Sequence, residues 1–293
     1  MNTLHLIDTS AYFHRAFHAL PPLSRPSDGF PVGAIHGFCG MIWRLQREFK
    51  PTYRALVLDA PGRNNFRTQA YAAYKANRSE RNPDLGLQFD KLQACADAFG
   101  IPTVKVKGFE ADDVIATMVA NAARAETTAV MFTADKDMMQ LVDDDRGIRM
   151  YDPWKKVWID RAAVIAKFGV GPELVVDAQA MIGDTSDNVP GVDKVGPKTA
   201  AQLLADFGSL DGIFQGVEAG DRRIAPGLRA RLATHRENAY ISRDLVRLRD
   251  DLPIPVELDD LAVCEPDISR IVALLDEFEL VSLKDEILGA PVS

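Results

Sequence analysis

The sequence predicts an α/β protein in which a mostly parallel central sheet carries helices on both faces and a helical domain follows. Short apolar stretches alternate with segments whose apolar residues recur every three or four positions. Such alternation is typical of βαβ units, which build parallel sheets. Beyond residue 160 the strand patterns end, and helical patterns separated by glycine-rich turns take their place. The 293 residues suffice for one large or two modest domains.

Five strands and three helices are predicted in the first half of the chain. The strands are expected at residues 3–7, 55–58, 102–106, 128–132 and 148–151. The helices are expected at residues 34–49, 87–99 and 111–123. Pro51 and Gly100 follow the first two helices as stop signals. The polar segment 75–90, which Pro83 interrupts, is expected to leave the core.

The patterns divide the chain into a sheet-bearing core at residues 1–165, a helical domain at 166–265 and a C-terminal helix and tail at 266–293. Hydrophobic residues make up 47% of the chain and charged residues 26%, as in ordinary soluble proteins. No apolar run approaches the roughly 18 residues of a membrane span. The N-terminus lacks a signal-peptide pattern, so we expect a cytoplasmic protein without a membrane partner. The three scattered cysteines indicate neither a disulfide framework nor a zinc cluster.

The charge is distributed unevenly along the chain. The net charge is −8, yet residues 1–81 contain 11 Lys/Arg and 5 Asp/Glu, and the remainder contains 23 Lys/Arg and 37 Asp/Glu. An acidic protein with this asymmetry can still present a local cationic face. The negative total therefore does not exclude a nucleic-acid partner, although a merely solvated basic surface is the alternative.

Acidic residues follow four of the predicted strands. They are Asp8, Asp59, Glu110, Asp112, Asp113, Asp135 and Asp137. Ligands of open parallel sheets bind beyond the carboxyl ends of the strands, so these side chains are expected to share one crevice. Carboxylates packed together repel one another, and divalent cations relieve the repulsion. Taken singly, the acids of the GFEADD helix start and of the TADKD turn are more often caps and turns than functional residues.

The ligand type limits the choice of metal. Oxygen ligands without cysteine or histidine favour Mg²⁺ or Mn²⁺ over zinc. Because Mg²⁺ takes only one or two carboxylates directly, seven acids indicate two ions, or three. Asp184 and Asp187, in GDTSDN, would complete a set of nine if that segment folds over the crevice; an Asx turn is the other interpretation.

A helix-hairpin-helix is predicted around GVDKVGPKT, which runs from Gly191 to Thr199. The stretch nearly matches a phosphate-binding Walker A loop, but it has an extra residue and no preceding strand. Gly191 and Gly196 allow a tight turn, and the next helix would present backbone N–H groups to a DNA phosphate. Lys194 and Lys198 add positive charge there.

The segment 63–81 (RNNFRTQAYAAYKANRSER) mixes cations with aromatic residues. Lys75 and Arg78 are three residues apart and would share one face of a helix. Aromatic rings among cations suit single-stranded nucleic acid, because bases stack on the rings while the cations follow the phosphates. An amphipathic surface helix with core aromatics is the alternative.

Several motifs together closely resemble the 5′-nuclease family, which comprises the N-terminal domain of bacterial DNA polymerase I, phage 5′–3′ exonucleases and flap endonucleases. The motifs are LIDTSAYFHRAFHAL, VLDAPGRNNFR, AYKANR, GFEADDVIAT, TADKDMMQLV and GDTSDNVPGVDKVGPKTA. The resemblance covers about residues 3–260, and all nine acidic positions of the family are present. It implies a PIN-like core and a helical arch at about 75–95, followed by the helix-hairpin-helix.

The activity that the resemblance implies is structure-specific cleavage of DNA. A member of this family cuts 5′ flaps and trims 5′ ends, with two or three Mg²⁺ or Mn²⁺ ions and sometimes K⁺ at the helix-hairpin-helix. The implied catalytic residues are Lys75, Arg78, Asp135 and Asp137. The implied nucleic-acid contacts are Arg15, Arg63, Arg67, Tyr74, Lys75, Arg78, Arg81, Gly191, Lys194, Gly196, Lys198 and Thr199.

The resemblance also implies biological context. The expected substrate is DNA with a 5′ flap, a nick or a free 5′ end, in replication and repair at the bacterial nucleoid. The resemblance implies a DNA polymerase or ligase as a partner, and a monomer is expected. The balance between exonuclease and endonuclease activity stays open, as does the choice between Mg²⁺ and Mn²⁺.

Three other functions would each fit part of the pattern. A PIN-type ribonuclease usually needs only about 130 residues and lacks the hairpin and arch, so residues 160–260 argue against it. A haloacid-dehalogenase-type phosphatase would have Asp-x-Asp after the first strand, where this chain has Asp8-Thr9-Ser10. A non-catalytic DNA-junction binder gains nothing from acids clustered beside phosphate.

Overall fold

The computed structural model describes residues 2–60, 65–78 and 82–289. Within these ranges the strands form one six-stranded sheet in the order β3-β2-β1-β4-β5-β6. The strands are β1 Thr3–Asp8, β2 Tyr53–Val57, β3 Thr103–Val104, β4 Thr128–Phe132, β5 Ile148–Asp152 and β6 Val157–Ile159. Strands β1 to β5 are parallel, and β6 runs antiparallel to β5. The predicted parallel sheet is confirmed, whereas β6 was not predicted and β3 is shorter than expected.

Fourteen α-helices lie in the described ranges. They are α1 Thr9–Ala19, α2 Gly33–Glu48, α3 Phe66–Ala70, α4 Pro83–Phe89, α5 Leu92–Ala98, α6 Ala111–Arg124, α7 Arg161–Phe168, α8 Val175–Ile182, α9 Pro197–Phe207, α10 Leu210–Glu218, α11 Pro226–Thr234, α12 Arg236–Val246, α13 Ile268–Glu277 and α14 Val281–Leu288. The helix predicted at 87–99 is in fact the pair α4 and α5. The single helix predicted after residue 266 is likewise two helices, α13 and α14. None of the described helices has the length and hydropathy needed to cross a bilayer.

The sheet is covered on both faces, as predicted. Alternate residues of β1 point to opposite sides: Leu6 lies in a core that includes residues of α6, and Ile7 lies in a core that includes residues of α1, α2 and α13. Successive side chains of a strand point to opposite faces of the sheet. A sheet that is buried on both faces therefore needs apolar residues at successive positions. The two faces therefore leave only the strand ends open to a ligand.

The carboxyl ends of the central strands are level with one another. Asp8 is paired with Val57 of β2, and Ile7 is paired with Phe132 of β4. Residues that directly follow these strands consequently emerge side by side at one edge of the sheet. This register is the reason that acids distant in sequence meet in space.

The hairpin after α8 is held by two glycines with left-handed backbones. Gly183 has φ of 74° and Gly191 has φ of 62°, and a Cβ on Gly191 would lie only 2.6 Å from the Gly183 nitrogen. The Gly191 N–H donates to the buried Ser242 Oγ of α12 at 2.9 Å. A side chain at Gly191 would not fit so close to Gly183. This close contact and the hydrogen bond to Ser242 attach the hairpin between α8 and α9 to the helical domain.

The predicted arch at 75–95 takes a different form. Residues 71–78 form turns against the loop at 184–188, where the Lys75 N–H donates to the Asp187 carbonyl at 2.9 Å. Helices α4 and α5 pack on the core, with Leu85 and Gln88 each 1% exposed. The Gln88 Oε1 accepts the Ala34 N–H at 2.7 Å. The described part of this segment is therefore docked against the protein, because its apolar face and Gln88 find partners on α2.

Candidate active site

Asp8 links the first strand to two neighbouring elements. Its Oδ1 accepts the Ala11 N–H at 3.2 Å and so caps α1, while its Oδ2 accepts the Thr133 hydroxyl at 2.9 Å, just after β4. The side chain is only 3% exposed. Asp59, after β2, accepts the Ala111 N–H at the start of α6 at 2.9 Å. Hydrogen bonds thus connect the end of β1 with the end of β4, and the end of β2 with the start of α6.

Four carboxylates form what we call the inner group: Asp8, Asp59, Asp112 and Asp135. Burial raises the pKa of Asp8 to about 7, and repulsion from Asp59 and Asp135 adds to the shift. Burial also raises the pKa of Asp112 well above its usual range, followed by repulsion from Asp135 and Asp8. The members therefore act on one another electrostatically, as expected of acids that share one crevice.

Three further carboxylates form what we call the outer group: Asp137, Asp184 and Asp187. One oxygen from each lies within 4.8 Å of the others. Burial raises the pKa of Asp137 to about 7, with repulsion from Asp135 as the next cause. The Gln179 amide of α8 donates to the Asp137 Oδ1. The loop after α8 therefore brings Asp184 and Asp187 back to the sheet edge.

Asp135 connects the two groups. It precedes the 3₁₀ helix Lys136–Leu141, and its Oδ1 accepts the Asp137 N–H at 2.9 Å. Its charge raises the pKa of Asp8 in the inner group and of Asp137 in the outer group. Of the motif TADKD, the first acid thus acts on both groups and the second belongs to the outer group.

Three cations approach the acids on the open side of the crevice. The Lys75 Nζ lies 2.8 Å from Glu110 Oε1 and 3.6 Å from Asp187 Oδ2, and the Arg78 Nη2 lies 2.5 Å from Asp187 Oδ1. The Lys136 Nζ lies 2.8 Å from Asp184 Oδ2. Lys136 was not predicted, although its position between Asp135 and Asp137 in the sequence is a signal. Lys75 has φ of 54°, a left-handed conformation that is uncommon outside glycine.

Glu110 is surrounded by protein donors. Its Oε1 accepts from Asn65 and Lys75 at 3.0 and 2.8 Å, and its Oε2 accepts from Tyr74 and Arg67 at 3.0 and 3.3 Å. These four donors match the roughly four lone-pair sites of a carboxylate. Glu110 therefore orients the cationic segment in this structure, and its role as a metal ligand stays a prediction.

Asp113 and Arg67 require a correction. Their side chains, 0% and 2% exposed, form a two-pronged ion pair with N–O distances of 2.6 and 2.7 Å. The Arg67 Nε also donates to the Leu245 carbonyl at 2.7 Å, and Asp113 Oδ1 also accepts the Arg249 N–H at 3.0 Å. Asp113 was predicted to bind metal and Arg67 to contact DNA. Both are instead buried and mutually satisfied, and they attach the end of α12 to α6.

Tyr74 requires the same correction. It is 6% exposed, and its hydroxyl donates to Glu110. Burial raises the pKa of this phenol. A ring that is hidden in this way offers no face to a base, so the predicted DNA contact is replaced by a structural role.

Adjacent substitutions on α6 should separate structural acids from metal-binding acids. Asp113→Asn should lower the free energy of unfolding by about 2–3 kcal/mol, because it leaves the Arg67 charge poorly compensated. Asp112→Asn should not lower it, because it removes a carboxylate whose pKa burial and repulsion already raise. Thermal melts with and without Mg²⁺ should show that the metal-induced stabilisation shrinks only in Asp112→Asn. Loss of that stabilisation in Asp113→Asn alone would contradict the assignment.

The predicted DNA contacts outside the crevice are accessible where they are described, except Gly191, which is buried and donates its N–H to Ser242. Arg15 is exposed on α1, and Lys194 and Lys198 are exposed at the hairpin and at the start of α9. Gly196 caps α9 without a side-chain hydrogen bond, so the first N–H groups of that helix are not capped by a side chain. Thr199 lies in the same turn, partly exposed. Arg63 and Arg81 lie outside the described residues.

The inner and outer groups fit divalent cations. Every candidate ligand is a carboxylate oxygen, as hard cations such as Mg²⁺ and Mn²⁺ prefer. Burial and mutual repulsion raise the pKa of Asp8 and Asp137 to about 7. A bound cation would remove the electrostatic cost of keeping these carboxylates charged. The residues that would hold the ions are therefore Asp8, Asp59, Asp112 and Asp135 on one side and Asp137, Asp184 and Asp187 on the other.

Metal affinity should depend on pH in a direction that these shifts determine. Because the pKa of Asp8 and of Asp137 is raised to about 7, acidification below neutrality adds protons that must leave before the oxygens can bind a cation. Calorimetric titration with Mg²⁺ should give an affinity at least roughly tenfold weaker near pH 5.5 than near pH 7.5. An affinity that is equal at both pH values would contradict this electrostatic description.

Two family descriptions match almost the whole chain. Residues 3–169 match "5'-3' exonuclease, N-terminal resolvase-like domain", and residues 170–269 match "5'-3' exonuclease, C-terminal SAM fold". The two matches meet one residue after the end of α7, whereas the predicted boundary at 165 falls inside that helix.

Curated relatives and solved structures agree with these matches. A DNA polymerase I of Rhizobium leguminosarum is 41% identical over 96% of this chain, which spans only 28% of that relative. A 5'-3' exonuclease of Aquifex aeolicus is 36% identical over 98% of this chain and 96% of its own length. The zinc-bound 5'-exonuclease of bacteriophage T5 shares the fold, with a TM-score of 0.67 at 19% identity over 98% of this chain and 99% of that one. The crevice of acids at the strand ends and the hairpin of the helical domain therefore belong to a member of the 5'-3' exonuclease family.

Proposed function

We propose that this chain is a metal-dependent, structure-specific 5′ nuclease that hydrolyses phosphodiester bonds of DNA. Its substrates would be DNA with a 5′ flap, a nick or a free 5′ end, as in primer or flap removal during replication and repair. The observation that carries the proposal is the pair of acidic groups connected through Asp135, whose charge raises the pKa of a member of each. Two neighbouring cation sites are what phosphodiester hydrolysis by a two-metal arrangement uses.

Some of the chain's residues would bind the cations, and others would compensate the charge of the phosphate. When bound, divalent ions at such a site supply an activated water and stabilise charge on the leaving 3′-oxygen. Lys75 and Arg78 lie at the mouth of the crevice, where they can neutralise the phosphate at which charge develops. Lys136 orients Asp184. The buried Arg67–Asp113 pair keeps the helical domain in place behind the acids.

The hairpin would hold the duplex beside the crevice. The first turn of α9 points its N–H groups outward, and Lys194 and Lys198 are exposed next to it. N–H groups of a helix start bind phosphate without reading base sequence. This suits an enzyme that recognises DNA shape. A K⁺ ion on the hairpin carbonyls, the choice between Mg²⁺ and Mn²⁺, a third ion and a polymerase or ligase partner are further parts of the proposal.

Two competing functions receive less support. A PIN-type ribonuclease would not need the helical domain of α8 to α12, whose hairpin is braced by Ser242. A catalytically inactive junction binder would gain nothing from retaining the inner group, because buried carboxylates that repel one another lower stability.

The direct test is cleavage of end-labelled substrates. The protein would be incubated with 5′-flap, nicked and single-stranded DNA and with matching RNA, in Mg²⁺ and in chelator. We expect Mg²⁺-dependent products from the DNA flap near the junction of single and double strand, together with short products from free 5′ ends. Binding without cleavage would favour the junction binder, and preferential cutting of RNA would favour the ribonuclease.

A further inference from the structure

A groove runs from the inner group towards the turn between β5 and β6. It has a volume of about 120 Å³, and the residues that matter along it are Asp8, Tyr12, Arg15, Thr133, Asp135 and Trp154. This is several times the space that one water molecule needs, so the groove can admit a larger group such as a single ring system. Two of its lining residues belong to the inner group, so any occupant would lie directly beside the proposed reaction centre.

The far end of the groove combines an aromatic wall with a cation. The Trp154 ring stacks on Tyr12 with a centroid distance of 5.0 Å and an interplanar angle of 21°. The guanidinium carbon of Arg15 lies 5.1 Å from the centroid of the same indole. Tyr12 and Arg15 are three residues apart on α1 and so share one helix face with Asp8 and Ala11. Tyr12 is buried, whereas Trp154 is partly exposed and Arg15 is exposed.

The position of Trp154 is fixed before any ligand arrives. Asp152, at the end of β5, is 2% exposed, and its Oδ1 accepts the N–H groups of Trp154 and Lys155 at 2.9 and 3.1 Å. This carboxylate therefore determines the course of the turn. A rigidly held ring loses little conformational freedom on binding, which makes it an effective stacking surface.

The chemistry of the groove identifies its occupant. One end adjoins the acids that would hold the scissile phosphate through cations, and the other end offers an indole and a guanidinium. A nucleotide presents the matching groups: a phosphate for the cation and an aromatic base for the indole. A groove of this size suits a single base.

We propose that this groove binds one unpaired nucleotide next to the scissile phosphate, with its base against Trp154 and its phosphate near Arg15. The proposal rests on the proposed nuclease function and extends it, because it assigns a base-binding role to residues outside the acidic groups. It gives a physical reason for selecting a single strand at the reaction centre. The proposal requires the base to leave its pairing partner before it stacks on Trp154.

The first test is a double-mutant cycle between protein and DNA. Flap substrates would carry a single abasic residue at successive positions on both sides of the cleavage site, and kcat/KM would be measured for wild type and Trp154→Ala. With normal DNA, Trp154→Ala should lose roughly 10- to 100-fold, the range expected for one stacked base. At one position the abasic residue should lower the kcat/KM of wild type by the same factor. At that position it should hardly lower the kcat/KM of Trp154→Ala any further. Fully additive losses at every position would overturn the proposal.

Two variants guard against a merely structural effect. Trp154→Phe keeps an aromatic ring and should recover most of the lost activity. Trp158→Ala removes a tryptophan of the same hairpin that is 48% exposed and does not line the groove, and it should behave like wild type. If Trp158→Ala reproduced the loss and the coupling of Trp154→Ala, the groove would not be the site.

The second test needs no cleavage. A flap with 2-aminopurine at the coupled position would be bound in chelator, and its fluorescence would be followed. Stacking on Trp154 should quench the probe in wild type and Trp158→Ala but not in Trp154→Ala; equal quenching in all three would overturn the groove assignment. Failure of wild type to cut any DNA in Mg²⁺ would instead refute the nuclease function, so the two failures can be told apart.

Discussion

Asp135→Asn should lower the single-turnover cleavage rate by roughly 1,000-fold or more and leave the affinity for flap DNA nearly unchanged. Asp135 acts on both acidic groups, because its charge raises the pKa of Asp8 and of Asp137. Removing that charge should weaken both proposed cation sites together. Most DNA affinity should come from surfaces outside the crevice, such as the exposed Lys194 and Lys198.

Rapid-quench kinetics with excess enzyme would give the rate, and binding in Ca²⁺ or chelator would give the affinity. Asp145→Asn is a suitable control, because Asp145 is an exposed acid in the turn before β5. It should leave both the rate and the affinity unchanged. Normal turnover together with lost binding in Asp135→Asn would remove this residue from the reaction.

Lys75→Ala should lower the single-turnover rate by about 100-fold while weakening flap binding by less than about tenfold. The ammonium of Lys75 lies between Glu110 and Asp187; burial alone would lower its pKa, but the negative charges of these two carboxylates outweigh burial and raise it. The lysine therefore stays charged at the mouth of the crevice. A fixed cation at this place should matter more as charge develops on the phosphate than during initial binding.

Lys194→Ala supplies the opposite signature. Lys194 is exposed on the hairpin, away from the acids, so its loss should weaken binding and reduce the salt dependence of affinity by about one phosphate contact. The single-turnover rate of bound substrate should be unchanged. Equal rates for Lys75→Ala and wild type under saturating enzyme would exclude Lys75 from catalysis.

The sheet and the location of the acids could be predicted because both follow from local patterns. Short apolar runs mark the strands, and parallel strands of level register must present their following residues at one edge. Asp8, Asp59 and Asp135 each follow such a run within three residues. The strand β6 escaped prediction because Val157 and Trp158 are both exposed, so this short strand has no buried alternation to detect.

The partners of individual charges could not be predicted, because they depend on contacts between distant parts of the chain. Arg67 and Lys75 occur in the same basic stretch. Arg67 is nevertheless buried and donates to the Leu245 carbonyl, 178 residues away in the sequence, whereas Lys75 lies at the crevice. Asp112 and Asp113 are neighbours in the sequence, but Asp112 belongs to the inner group and Asp113 pairs with Arg67. Their partners differ because successive helical residues point in directions about 100° apart. Trp154 carries no motif at all, and only the packing of α1 against the β5–β6 turn places it beside the acids.

The central claim is that carboxylates scattered along the chain converge in order to share divalent cations. Crystals soaked in Mn²⁺ and measured at the manganese absorption edge test it directly. The account predicts two anomalous peaks, one among Asp8, Asp112 and Asp135 and one among Asp137, Asp184 and Asp187. A map without peaks there, in which Lys75, Arg78 and Lys136 still neutralise the same oxygens, would contradict it.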